Sequence, residues 1–248
     1  MDYNILKKKS LSELKEIAEM MDILPSSTSG VSRKELVDEI IKCFREYEDY
    51  KKDIINKYDC KGKIGNSGKD GITYLVKKNG LEYAMKTFRD RKSVNNITKE
   101  SQFQEIASKV GISPKIHEVN LVDNYIVMDK MDRHLVDVIK EQGGILNEMQ
   151  QRQIINIFKK LDEIKIFHGD SNILNYMCKG HLIYMIDYGM SKTIDSKLVR
   201  KLGTDKPNYE LMNIGFILKL KELKFDKKSY NYLIQHVSKD NINKYKII

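Results

Sequence analysis

Cysteine is scarce in this 248-residue chain: Cys43, Cys60 and Cys178 make an odd count and lack the paired spacing of a metal site. That excludes a disulfide scaffold and a zinc module, and it points to a reducing, intracellular compartment. No apolar stretch approaches the roughly 18 residues a membrane-spanning helix needs, and the chain opens on Asp2 in place of a basic and then apolar leader. Neither membrane insertion nor secretion is expected. There is no internal repeat and no long low-complexity tract. What is present is 41% hydrophobic residues, enough for one good-sized domain and a small appendage. The formal charge of +9 is uneven. Residues 1–50 hold 8 Lys/Arg against 11 Asp/Glu, a balance of −3, which leaves +12 on the remainder. Such a surplus suits an anionic substrate, an acidic protein or nucleic acid, although most of it reads as solvated lysine.

The chemistry concentrates in His168-Gly169-Asp170-Ser171-Asn172-Ile173-Leu174-Asn175-Tyr176 and, twelve positions after Asn175, Asp187-Tyr188-Gly189. Phosphoryl transfer asks for in-line positioning and for hard oxygen ligands around a divalent ion more than for covalent work. Asn175 offers an amide oxygen and Asp187 a carboxylate, the ligand types that Mg²⁺ takes while keeping water and phosphate oxygens. Asp170 is then free to accept or orient the proton of an attacking hydroxyl. Leu182 to Ile186 reads as a buried strand that delivers Asp187, with Gly189 permitting a sharp departure. A lone Asp-x-Gly or His-Gly-Asp is an ordinary turn; the order and spacing of the two, with the upstream features below, carry the reading.

Upstream, Lys61 to Val76 reads as strand, glycine turn, strand, with Gly65, Gly68 and Gly71 spaced to let backbone N–H groups approach phosphate oxygens. By itself this is a weak signal, since glycine-bearing hairpins are common. Fifteen residues after Gly71, the short strand Tyr83-Ala84-Met85-Lys86-Thr87-Phe88 carries one lysine, either an edge-strand residue facing water or a charge for the α/β-phosphates. Such a lysine needs an acidic partner. The spacing of Phe103, Ile106, Ala107 and Val110 predicts a helix over 98–110, in which Glu100 is the favoured partner and Glu105 its rival. The apolar strand Asn124 to Met131 would set Met128 against an adenine ring and Asp129 to Met131 along its edge.

From about Gly62 to Gly215 these residues resemble the eukaryotic-like protein kinase superfamily. The glycine loop answers to Gly65 to Gly71, the strand lysine to Ala84-Met85-Lys86, the helix glutamate to Glu100, the catalytic loop to His168 to Asn175, and the Asp-Phe-Gly triplet to Asp187-Tyr188-Gly189. The resemblance implies an α+β, bilobal kinase-like fold, with an N-lobe over 51–131 and a C-lobe over 132–248. It implies ATP and Mg²⁺ as cofactors, with Asp170, Lys86 and Glu100 in catalysis. Gly65, Gly68, Gly71, Ala84, Lys86, Met128, Asp129 and Met131 would contact the nucleotide, and Asn175 and Asp187 the metal. Departures are instructive. Gly169 replaces the arginine of His-Arg-Asp, as in compact atypical kinases and in aminoglycoside and choline phosphotransferases, so no loop-phosphate switch is expected. Asn66 stands where a first glycine would, Asn172 stands where a lysine is common, and Ala-Pro-Glu is absent. With 61 residues after Asp187, a reduced second lobe is expected. The sequence is most similar to small serine/threonine kinases of large DNA viruses. That implies a protein substrate, and a cytoplasm, nucleus or virion as location; a small-molecule acceptor, or a pseudokinase binding platform, are the alternatives.

Residues 1–50 read as a helix–loop–helix. Leu11, Leu14, Ile17, Ala18 and Met21 mark one helix; Ser32 with Glu35 caps a second carrying Leu36, Ile40, Ile41 and Phe44; Pro25 to Gly30 form the loop. The pattern looks similar to a SAP-type module, which implies a DNA or nucleoprotein contact through Lys7, Lys8, Lys9, Arg33 and Lys34. The acidic balance favours the alternative, a hairpin that packs on protein.

Overall fold

The computed structural model describes residues 6–20, 32–42, 58–64, 71–89 and 91–247. The chain divides into two compact units, Met1–Cys60 and Lys61–Ile248, a division later than the residue 50 that composition suggests. Gly65 and Gly68 of the glycine loop lie outside the described residues, as do Met21, Pro25 to Gly30, Cys43, Phe44 and Asn66.

In the first unit, α1 (Leu11–Met20) and α2 (residues 33–42) both start with a reciprocal Ser-x-x-Glu cap. Ser10 N–H donates to Glu13 Oε2 at 2.7 Å while Glu13 N–H donates to Ser10 Oγ at 3.3 Å, and Ser32 and Glu35 repeat the pattern at 2.8 and 3.3 Å. Two otherwise unsatisfied N–H groups are met at each helix start. Leu14, Ala18, Leu36, Val37 and Ile40 close a small core with Leu6. Leu11 departs from the expected stripe: it is 40% exposed, its place at the end of the core being filled by Leu6 from the preceding turn. Arg33, expected to be available to phosphate, donates to the Lys9 and Lys7 carbonyls and so joins the start of α2 to the turn before α1.

The second unit is mixed α+β. Five antiparallel strands form a sheet in the order β1 (Cys60–Lys63), β2 (Gly71–Lys78), β3 (Leu81–Phe88), β5 (Tyr125–Asp129), β4 (Ile116–Asn120). Asn79-Gly80, with φ of 53° and 78°, makes the two-residue turn between β2 and β3, a geometry that favours these two residues. The turn fixes the register from Lys78↔Leu81 to Gly71↔Phe88, with Lys86 opposite Thr73 on one side and Ile126 on the other. Lys86 therefore lies on the middle strand and not at an edge. Alternation puts Ala84, Lys86 and Phe88 on one face, and α3 (Val94–Lys109) covers it, with Ile97 joining Ala84, Phe88, Ile126 and Met128 in a core.

This helix differs from the expected one. It begins at Val94, capped by Ser93, and buries Ile97, Glu100, Ser101, Gln104 and Ala107, whereas Ile106 is 41% exposed. The inward stripe is more polar than an apolar count can detect because the helix packs over a charged site. Gln104 is satisfied there by the Pro114 carbonyl at 3.2 Å and Met128 Sδ at 3.3 Å.

The remainder is mainly helical: β6 (Arg133–His134), α4 (Leu135–Glu141), α5 (Glu148–Glu163), β7 (Ile166–Phe167), β8 (Tyr176–Lys179), β9 (Leu182–Met185), β10 (Lys192–Thr193), α6 (Ser196–Leu202), α7 (Asn213–Glu222), α8 (Asn231–Ile234) and α9 (Lys239–Tyr245). Asn147 and Gln150 close a capping box at the start of α5, whose Ile154, Ile155, Ile157, Phe158 and Leu161 enter a large core with Tyr176 and Phe216. β9 is half-buried, not fully buried as expected: it is an edge strand of the β6-β8-β9 sheet, so Ile183 and Met185 point inward while Leu182 is 57% exposed. Among the described residues no helix is long and apolar enough to cross a membrane, and Cys60 and Cys178 are free thiols.

Candidate active site

Three segments distant in sequence meet around one ammonium group. Lys86 Nζ on β3 lies 2.6 Å from Glu100 Oε1 on α3 and 3.1 Å from Asp187 Oδ1, which follows β9. The Glu100 carboxylate is buried, with 1% of its side chain exposed, and its second oxygen is 2.5 Å from Lys92 Nζ. Glu105, the rival partner, points to solvent and pairs with Lys109. Burial works against the charged form of Lys86, but Glu100 and Asp187 together outweigh it and raise its pKa above the ordinary range. Burial likewise opposes ionised Asp187, and Lys86, with help from Lys92, holds its carboxyl below the usual range.

Asp187 has φ 65° and ψ 68°. The left-handed conformation falls on Asp187 itself; Gly189, expected to permit the sharp departure, has no positive φ. Gly189 is needed for space: a Cβ there would lie 3.2 Å from Glu100 Oε2, 3.3 Å from Lys92 Nζ and 3.5 Å from Asp187 Oδ1. Tyr188 between them is buried, its ring set edge-on to the His168 imidazole at 4.9 Å, and burial pushes its phenol up.

The loop holding Asp170 and Asn175 is clamped on several sides. His168 is fully buried; its Nε2 lies 3.1 Å from the Ile186 carbonyl, which assigns the ring proton to Nε2, and burial lowers its pKa. Its backbone N–H donates to Asn208 Oδ1 at 3.0 Å. Asn208 Nδ2 in turn donates to Asp162 Oδ1 and to the Ile166 carbonyl, both at 2.7 Å, and Asp162 also accepts the N–H groups of Asn208 and Tyr209. Desolvation raises the pKa of Asp162 even against those bonds. Gly215 on α7 passes so near the loop that a Cβ would come within 2.4 Å of Ser171 Oγ.

Within the loop, Asp170 Oδ1 accepts the Asn172 N–H at 3.0 Å, and Asn172 Oδ1 caps the short 3₁₀ turn Ile173–Asn175 by accepting the Leu174 N–H at 3.1 Å. Asn172 thus serves the turn. The Ile186 N–H donates to the Asn175 carbonyl at 2.9 Å, tying the metal candidate Asn175 to the backbone just before Asp187. Asn175 is 7% exposed, and its side-chain Nδ2 has no hydrogen-bond partner. Nδ2 can only donate and is no ligand; the oxygen donors that Mg²⁺ could take here are the Asn175 amide oxygen and the half-exposed Asp187 carboxylate. Among the described residues no group of three or more His, Cys, Asp or Glu is placed to hold a metal, so an ion here would depend on Asn175, Asp187 and oxygens of its substrate and water.

The residues expected to contact a nucleotide divide. Ala84 and Met128 are cross-strand partners, both 8% exposed, on the face that carries Lys86. Met131 is buried; the Asp129 side chain pairs with His117 Nε2 at 2.6 Å, and its backbone N–H donates to the Lys115 carbonyl at 2.9 Å. Gly71 is described, and its lack of a side chain has a local cause: a Cβ would sit 2.1 Å from the Thr87 carbonyl oxygen of β3.

Sequence reasoning missed Asp162, Asn208 and Lys92. Asp162 carries a faint signal, a carboxylate next to Leu161 on an apolar helix face. Lys92 gives none, standing in a charged stretch with no apolar period around it. No protein-family model and no curated protein matches the chain.

Proposed function

We propose that this chain is a Mg·ATP-dependent phosphotransferase with a reduced, bilobal protein-kinase-like fold, transferring the γ-phosphate of ATP to a serine or threonine hydroxyl of a protein. The observation that carries the reading is the ion-paired series Glu100–Lys86–Asp187, drawn from a helix, a central strand and a post-strand turn as much as 101 residues apart. A part-buried lysine held between two carboxylates, one of them fully buried, is a charge cluster of the kind that gathers at functional sites. The five-stranded sheet with α3 on one face, followed by a mainly helical region, supports the fold assignment.

In this reading Lys86 turns its charge to the phosphates while Glu100 keeps it in place. Asn175 and Asp187 would hold Mg²⁺, whose contribution is to neutralise charge on phosphate oxygens. Ala84 and Met128 offer an apolar surface to an adenine ring. Asp170, fixed by the Asn172 N–H, orients the acceptor hydroxyl and takes its proton as the new O–P bond forms and the bond from the γ-phosphorus to the bridging oxygen of ADP breaks. Transfer from radiolabelled ATP to acidic proteins, basic proteins and small alcohols tests this. Wild type is expected to label protein, and Asp170→Ala to lower the rate about 10²-fold or more. Equal labelling by the two removes Asp170 from the mechanism, and label on small alcohols alone replaces the protein acceptor.

A further inference from the structure

Residues 190–206 hold five cations, Lys192, Lys197, Arg200, Lys201 and Lys206, against two acids, Asp195 and Asp205, a balance of +3. All five cations are exposed, and among the described residues none is ion-paired with a carboxylate. Two anchors hold this stretch beside Asp170. At its start β10 pairs with β7, Lys192 opposite Phe167 and Thr193 opposite Ile166, and the chain passes so near Gly169 that a Cβ there would lie 3.2 Å from the Met190 carbonyl oxygen. Just past its end, Asn208 accepts the His168 N–H at 3.0 Å. The stretch therefore leaves from, and returns to, the loop that carries Asp170, with α6 between the two anchors.

The helix itself does not account for these charges. No residue of α6 is fully buried, and its seven residues include no acid. Lys197, Arg200 and Lys201, at positions i, i+3 and i+4, share one face, where like charges weaken a helix. The helix dipole favours Arg200 and Lys201 in the last turn, but it opposes Lys197 in the first and does not reach Lys192 or Lys206. Asp195 is committed to the cap, its Oδ1 accepting the Leu198 N–H at 2.7 Å. Resting on the protein-acceptor reading above, we infer that this surface receives an acidic segment of the acceptor protein, with aspartates or glutamates around the target hydroxyl pairing with Lys197, Arg200 and Lys201. Charge complementarity beside Asp170 selects such a partner. Residues 190–206 contain no aromatic side chain on which bases could stack, which favours an acidic protein over single-stranded nucleic acid. Exposed ion pairs are individually weak and screened by salt, so the selectivity rests on several acting together.

The test is steady-state labelling, by the full chain with Mg·ATP, of three peptides of equal length in which one serine is flanked by glutamates, by glutamines or by lysines. Wild type is expected to show a kcat/KM about tenfold or more higher for the glutamate peptide than for the lysine peptide at low salt, a ratio that shrinks as salt is raised. The triple variant Lys197→Glu, Arg200→Glu, Lys201→Glu is expected to invert the ratio, a reversal that loss of a merely structural helix would not produce. If that variant fails to fold, the same three positions changed to Gln are expected to bring the ratio near one. A wild-type ratio near one with all three peptides labelled, or a triple variant that keeps the wild-type ratio, overturns the inference and leaves the phosphotransferase reading standing. Inhibition by duplex DNA, with no preference among the peptides, gives the surface to nucleic acid and overturns it as well. Failure of wild type to label any peptide or protein overturns the protein-acceptor reading and this inference together.

Discussion

At the scale of single residues, the constraint that bears most directly on the charged cluster is at Gly189. Three charged atoms would surround a Cβ at 3.2 to 3.5 Å, and none can retreat without lengthening an ion pair to Lys86 or Lys92. Gly189→Ala is therefore expected to misplace Asp187 and Glu100 by a few tenths of an ångström. Its transfer rate should fall about tenfold or more, because positioning carries much of this chemistry, while stability changes by only about 1 kcal/mol. Steady-state kinetics beside chemical denaturation checks the split; a variant with wild-type kinetics shows that the cluster tolerates the methyl group. Asp187 carries the other local strain, a non-glycine residue in the left-handed region. Such conformations cost of order 1 kcal/mol and persist where surrounding contacts fix them. Here the contact with Lys86 does so.

At the scale of elements, the loop carrying Asp170 and Asn175 takes its position from α5 and the turn leading into α7 more than from its own sequence. Asn208 joins three elements, receiving the His168 N–H and donating to Asp162 and Ile166. Asn208→Ala would leave a buried N–H and part of a buried carboxylate unsatisfied, with an expected loss of about 2–3 kcal/mol in urea unfolding. Its labelling rate should fall too, since the loop carrying Asp170 loses its anchor; unchanged stability would mean that water replaces the amide. The legibility of the chain follows from the same distinction. Lys86, Glu100, Asp170, Asn175 and Asp187 stand out in the sequence because motif spacing is local, and the Asn79-Gly80 turn and the Ser32–Glu35 cap are fixed by neighbouring residues. Of the inward stripe of α3, Glu100 was legible as the lysine's partner, whereas Ser101 is buried by what lies opposite, and periodicity of apolar residues cannot register that. Lys92 and Asn208 were hidden for the same reason, their partners being 8 and 46 residues away.

At the scale of the molecule, acid sensitivity follows from buried titratable groups. His168 has a pKa lowered by burial, so below its ordinary value near 6.5 the unfolded chain binds a proton that the folded chain refuses. Stability is then full above that pH and falls as pH drops, by up to about 1.4 kcal/mol per unit. The lowered pKa of Asp187 adds a loss only below the ordinary aspartate value, whereas the raised pKa of Asp162 acts above that value and in the opposite sense, the folded chain taking up that proton first as pH falls. Thermal melts between about pH 7 and pH 5 should show a declining midpoint in wild type and a flatter profile in His168→Gln; equal slopes would assign the decline elsewhere. The same molecule also has an order of assembly written into its loop lengths. The two-residue turn at Asn79-Gly80 lets β2 and β3 zip within about 1–10 µs. Lys86 then finds Glu100 across 14 residues, whereas Asp187 must return across 101, a closure that costs about 1.8 kcal/mol more in chain entropy. A nascent chain leaving the ribosome can thus pair its lysine before the aspartate is synthesised, and the three-residue series closes only when the later strand arrives.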